Sequence, residues 1–175
     1  TSGFQTTMLF QYEQFFRDNE KCFQMSVLIG NRLCTHAGVS SEFMKSVGFW
    51  EMDNADESMI SDYINDLFHY KPNEFTFSGG CDRNNTGVSP NGYGDDDWQS
   101  PIWIRPKSLQ RVNKNTDLKK NYIQIVGHTQ QEHIDIKGKT TGGKYYYIDT
   151  LPTGEYLIDV GGEFKIGYAT IVNYI

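Results

Sequence analysis

The run Cys22-Phe23-Gln24-Met25-Ser26-Val27-Leu28-Ile29-Gly30-Asn31-Arg32-Leu33-Cys34-Thr35-His36-Ala37-Gly38 decides the fold class. Phe23, Met25, Val27 and Ile29 alternate with Cys22, Gln24, Ser26 and Leu28, the two-residue period of a strand, flawed only at Leu28. Gly30-Asn31 supplies a two-residue turn, because glycine tolerates the positive φ that a type II′ hairpin needs. Arg32–Thr35 returns as the partner strand and delivers His36-Ala37-Gly38 at its end, where loops usually carry chemistry.

On the N-terminal side, Phe4, Met8, Leu9, Tyr12, Phe15 and Phe16 recur at helical spacing, so Ser2–Phe16 is expected to form an amphipathic helix. On the C-terminal side, Ser40 or Ser41 can cap a short helix through Val47. Asp56–Phe68 reads as a further helix with Met59, Ile60, Tyr63, Ile64, Leu67 and Phe68 on one side. Ser78–Gln99 is rich in Gly, Asn and Asp and is expected to be a long loop. Pro101–Ile104 is an apolar stretch that Pro106 stops, and Tyr122–Val126 is a short strand ending in Gly127-His128-Thr129. Lys144–Asp149 and Glu155–Val160 flank Leu151-Pro152-Thr153-Gly154 as an expected hairpin, and Gly167–Tyr174 supplies another strand. Helices early and strands late imply one mixed α/β (α+β) layered domain over residues 1–175.

Composition narrows the function. Sixteen basic against twenty-two acidic residues leave a net charge of −6 with no Lys/Arg cluster, which argues against a nucleic-acid partner. Cys22, Cys34 and Cys81 have no CxxC spacing, so neither a disulfide framework nor a cysteine zinc site is expected, and an odd count fits a reducing cytoplasm. No apolar run approaches the ~18–20 residues that span a bilayer. The chain starts at Thr1 without an initiator methionine, so a missing leader carries little weight.

Among four histidines, His36 and His128 share a context: each follows a short strand and has a glycine nearby. An imidazole at a strand end can point into a cleft at the sheet edge, while glycine lets backbone approach a ligand. Two unrelated hydrogen-bonded histidines would fit the same residues. His69 at a helix end and His133 in a polar turn are given no role. Asp95-Asp96-Asp97 lacks the spaced ligands and glycine of a calcium loop and is expected to be a solvated acidic loop.

Four segments, in order, carry a resemblance. Arg32-Leu33-Cys34-Thr35-His36-Ala37-Gly38-Val39, Ser100-Pro101-Ile102-Trp103-Ile104-Arg105, Val126-Gly127-His128-Thr129 and Tyr156-Leu157-Ile158-Asp159-Val160-Gly161 resemble segments of calcineurin-like metallophosphoesterases. The similarity is greatest to the branch of phage-type protein phosphatases and diadenosine-tetraphosphatase-like enzymes. It implies a layered β-sandwich flanked by helices and phosphoester hydrolysis at a two-metal centre (Mn, Fe or Zn), with a metal-activated hydroxide attacking phosphorus. By the same resemblance His36 and His128 ligate one metal and Arg105 contacts the substrate phosphate. Gln130 stands where the family usually has proline after the Gly-His-Thr motif. The Asp-x-His, GDxxDRG and GNHE motifs, which supply most ligands and the proton donor, are absent. The chain is therefore expected to be the C-terminal portion of such a catalytic domain and inactive alone. It is also expected to expose an apolar face that pairs with a copy of itself or with the missing half. The competing expectations are a non-catalytic β-rich binding or scaffold domain keeping relic motifs, and a calcium-stabilised surface protein.

Overall fold

Strand β1 (Ser26–Ile29) turns at Gly30-Asn31 into β2 (Arg32–Thr35), with Gly30 at φ +60° and Ile29 opposite Arg32, as the hairpin spacing requires. The computed structural model describes residues 6–76 and 96–169, apart from 117, 119 and 120. β2 pairs in parallel with β3 (Ile123–Val126), and β3 in parallel with β4 (Tyr145–Tyr147), giving a four-stranded mixed sheet in the order β1-β2-β3-β4. A separate two-stranded sheet joins β5 (Glu155–Val160) to β6 (Glu163–Tyr168) through Gly161-Gly162, both at positive φ. The architecture is mixed α/β, with helices against one face of the central sheet.

Helix α1 (Leu9–Asp18) follows a 3₁₀ turn over Thr6–Met8 and buries none of its residues, so Phe10, Phe15 and Phe16 stay exposed. Helix α2 (Ser41–Ser46) is capped as expected: Ser40 Oγ accepts from Phe43 N at 2.9 Å, and Gly48 at φ +80° lies just beyond its end. Helix α3 (Ile60–Tyr70) buries Ile60, Ile64 and Leu67, the i, i+4, i+7 stripe visible in the sequence. These three join Leu33, Val39, Phe43, Met44, Phe49 and Phe75 in the main core, where each fully buried large side chain contributes about 1.5–3 kcal/mol. Helix α4 (Pro106–Val112) was not expected. Pro106 does not stop an apolar run but opens a helix, because at the first helical position its missing N–H and fixed φ are no handicap.

Two expectations about the strands are overturned here. The strand alternation puts Val27 and Ile29 on the core side, yet they are 40% and 60% exposed while Ser26 and Leu28 face the helices. α3 draws Ser26 inward. Its Oγ bonds to Ser61, and Asn65 accepts from Met25 N and Ser26 N through Oδ1 while donating to Ser26 O through Nδ2. Among the described residues the hairpin across Leu151–Gly154 is also absent: β4 lies in the central sheet and β5 pairs with β6. Between them a 3₁₀ turn (Leu151–Thr153) ends on Gly154 at φ +68°, and Thr150 Oγ1 donates to Glu155 O, which sends the chain away from β4.

The β5–β6 hairpin lies against the outer face of the sheet. Phe164 packs on Tyr146 with ring centroids 4.5 Å apart, while Arg32 ion-pairs with Asp159 and stands over the Phe164 ring. Among the described residues, no helix is long and apolar enough to cross a membrane. Cys81 and the loop expected over Ser78–Gln99 fall outside the described residues except at 96–99. There Asp96 is buried and accepts from Trp98 N, and Asp97 pairs with Arg111, so neither is the solvated acidic group expected.

Candidate functional site

Parallel pairing of β2 with β3 matches Thr35 to Val126, so the next residues, His36 and Gly127, leave the sheet side by side. Gly127 N donates to His36 O at 2.8 Å, one more rung beyond the strands. The rings follow: His36 Nε2 and His128 Nδ1 lie 3.0 Å apart, 92 residues distant in sequence. Both stand at the carboxyl ends of parallel strands, the edge where open α/β sheets commonly bind ligands.

Each histidine is held by its backbone. Thr129 N bonds to Gly127 O at 2.7 Å, closing a three-residue turn on His128, which takes φ +63°. A non-glycine residue there carries about 1–3 kcal/mol of strain, an arrangement found most often at functional sites. On the other loop Ala37 N donates to Pro101 O at 2.6 Å, and Gly38 turns at φ +110°. Val39 is then clamped: its N–H donates to Gln124 Oε1, and its carbonyl accepts from Gln124 Nε2 and Asn113 Nδ2. Gln124 and Asn113 are both buried, so a polar bracket beneath the sheet edge sets the path of the His36 loop. The two glycines beside the histidines differ. A Cβ on Gly38 would run into Leu109, whereas Gly127 has ordinary space around it and no positive φ.

Arg105 stands at the N-terminal boundary of α4 and is half-buried, with Nη1 donating to Thr129 Oγ1 at 3.2 Å. Trp103 stands perpendicular to His128, with ring centroids 5.9 Å apart. Burial, then the Arg105 charge and then His36 push the His128 pKa down, against the Trp103 backbone and Asp149, which favour the charged ring. The neutral imidazole is therefore the favoured state of His128 at neutral pH. Its Nε2 is buried without a well-formed hydrogen bond among the described residues.

The structure thus brings together His36, His128 and Arg105. His69 and His133 lie elsewhere, each against a carboxylate, Glu20 and Glu155 respectively. Asp149 is the acidic group at the site that the sequence did not single out. It follows β4, its carbonyl accepts from Gln131 N, and its charge is felt by His128. Its signal was the triplet Ile148-Asp149-Thr150 at a strand end. The similar Ile158-Asp159 instead lies in β5, where Asp159 is engaged by Arg32. Among the described residues no group of three or more His, Cys, Asp or Glu side chains is placed to hold a metal ion.

No family model matches the chain, and no curated protein does. Its fold matches part of a solved structure of a single-site mutant of a cold-active protein tyrosine phosphatase, at a TM-score of 0.51 and 21% identity. That match covers 83% of this chain and 40% of the other. The cold-active protein tyrosine phosphatase of a psychrophile, Shewanella sp., aligns over the same shares at 18% identity and a TM-score of 0.48. The chain therefore shares its fold with less than half the length of a phosphatase chain.

Proposed function

We propose that this chain forms part of a metal-dependent phosphoester-hydrolysing site of the calcineurin-like metallophosphoesterase kind, with His36 and His128 as ligands to one divalent ion and Arg105 as the phosphate contact. The observation that carries this is the convergence of two imidazole nitrogens to 3.0 Å beside a half-buried guanidinium, at the carboxyl ends of two parallel strands. A nitrogen pair so spaced can reach one ion with bonds of about 2.0–2.1 Å. The neutral bias of His128 suits ligation, since an imidazole must shed its proton to bind a metal. Binding through His36 Nε2 and His128 Nδ1 leaves the protons on His36 Nδ1 and His128 Nε2.

A divalent ion held there supplies Lewis-acid polarisation of a phosphoryl oxygen and a lowered pKa for water. Manganese, iron and zinc all suit imidazole, and a second ion belongs to the complete two-metal centre. Arg105 presents a planar donor fork to the phosphate, steadied by its bond to Thr129. The Asp-x-His, GDxxDRG and GNHE motifs that supply most ligands of such a centre are absent from the sequence, so the chain alone is expected to be inactive. Attack by Cys34 has less support: it lies within β2, and burial pushes its thiol pKa up, away from the thiolate a nucleophile needs.

A second reading, a binding or scaffold domain with relic motifs, draws on the same contact, because the two histidines also satisfy each other as a hydrogen bond without metal. Calorimetric titration of the chain with Zn²⁺ or Mn²⁺ separates the two. One ion per chain is expected, weakened about tenfold or more in His36→Ala and in His128→Ala. No heat of binding in the unaltered chain would leave the scaffold reading in possession.

A further inference from the structure

Trp103 gives the site a flat apolar wall next to its cationic end. Its neighbour Ile104 is fully buried and packs with Ala37, Leu109 and Tyr145. With Ile104 fixed in the core, the residues on either side of it face the site: Trp103 meets the His128 ring, and Arg105 bonds to the adjacent Thr129 and acts on His128 through its charge. The indole stands perpendicular to His128, yet 36% of Trp103 remains exposed. A large ring on a core-anchored turn, open to solvent beside a guanidinium, matches a ligand with an anionic head and a flat apolar body.

Resting on the phosphoester reading above, we propose that Trp103 is the platform for the leaving group and that the site recognises aryl phosphates in preference to alkyl phosphates. The phosphoryl end lies at Arg105 and the histidine pair, and the aryl ring lies against the indole. Trp103 is thus a specificity-determining residue. A merely structural Trp103, propping the His128 ring, would affect aryl and alkyl ligands alike.

The test uses two non-hydrolysable probes, phenylphosphonate and methylphosphonate. Each is titrated into the 175-residue chain without metal while the three indole N–H resonances are followed by NMR. The Trp103 resonance is identified by its loss in Trp103→Phe. Phenylphosphonate is expected to bind about two- to tenfold more tightly than methylphosphonate and to shift the Trp103 signal. Trp103→Ala should bring the two probes to the same affinity, Trp103→Phe should keep part of the preference, and Arg105→Ala should weaken both. Equal affinities in the unaltered chain, or equal weakening of both by Trp103→Ala, would overturn the proposal. If both probes bind, depend on Arg105 and show no aryl preference, the platform falls and the phosphate site stands. If neither binds, the platform falls, and the metal titration alone decides the phosphoester reading.

Discussion

Gly38 turns at φ +110° in the step between His36 and the clamped Val39, with Leu109 where a side chain would go. Gly38→Ala therefore meets both backbone strain and a clash, and urea denaturation should record a loss of about 1–3 kcal/mol. Gly48, also at positive φ but with open space around it, marks the contrast. His36 and His128 were legible from sequence because a strand followed by histidine and a nearby glycine is a local pattern. Asp149 was not: Ile-Asp occurs three times in the C-terminal third, at 134–135, 148–149 and 158–159, and only the fold decides which aspartate's charge reaches His128. Nor could spacing reveal that His128 takes a positive φ, since histidine has no local requirement for it.

The element that fixes the His36 loop is not the loop but β3 and the end of α4, which send Gln124 and Asn113 to the backbone of Val39. Removing Gln124 strands the Val39 N–H, and removing Asn113 strands the Ser41 N–H that its Oδ1 accepts from. Gln124→Leu is expected to destabilise the chain by about 2–4 kcal/mol and Asn113→Ala by about 1–3 kcal/mol in urea denaturation. Because both amides donate to the Val39 carbonyl, each single variant leaves it one donor and the double variant leaves it none, so the double variant should lose more than the two losses added, and a double-mutant cycle checks this. Element boundaries were largely readable where caps and periodicity were strong, as in α2, α3 and the β1–β2 turn. They failed where a short turn signal had to stand in for topology. Leu151–Gly154 looks like a hairpin turn locally, but β4 finds its partner in β3, distant in sequence and parallel. α4 went unseen because a proline reads as a stop unless the following turn is known to be helical.

At the level of the whole molecule, helices cover one face of the central sheet and the β5–β6 hairpin covers part of the other. Val27 and Ile29 remain exposed on that outer face, and Cys34, Ile123 and Ile125 are only half-buried. Sequence alternation identified this apolar stripe but could not tell which side of the sheet the helices would take. Concentration-dependent association through this face is expected in light scattering, weakened by Ile29→Lys; a monomer at all concentrations would refute it. The parallel join of β2 to β3 has a further consequence, in time rather than in space. The histidine pair spans 92 residues, so its partners meet only after a long loop has closed, and such contacts are slow to form. No early, locally folded fragment of the chain can contain the site, and its appearance during refolding would date the moment at which the two halves of the sheet first join.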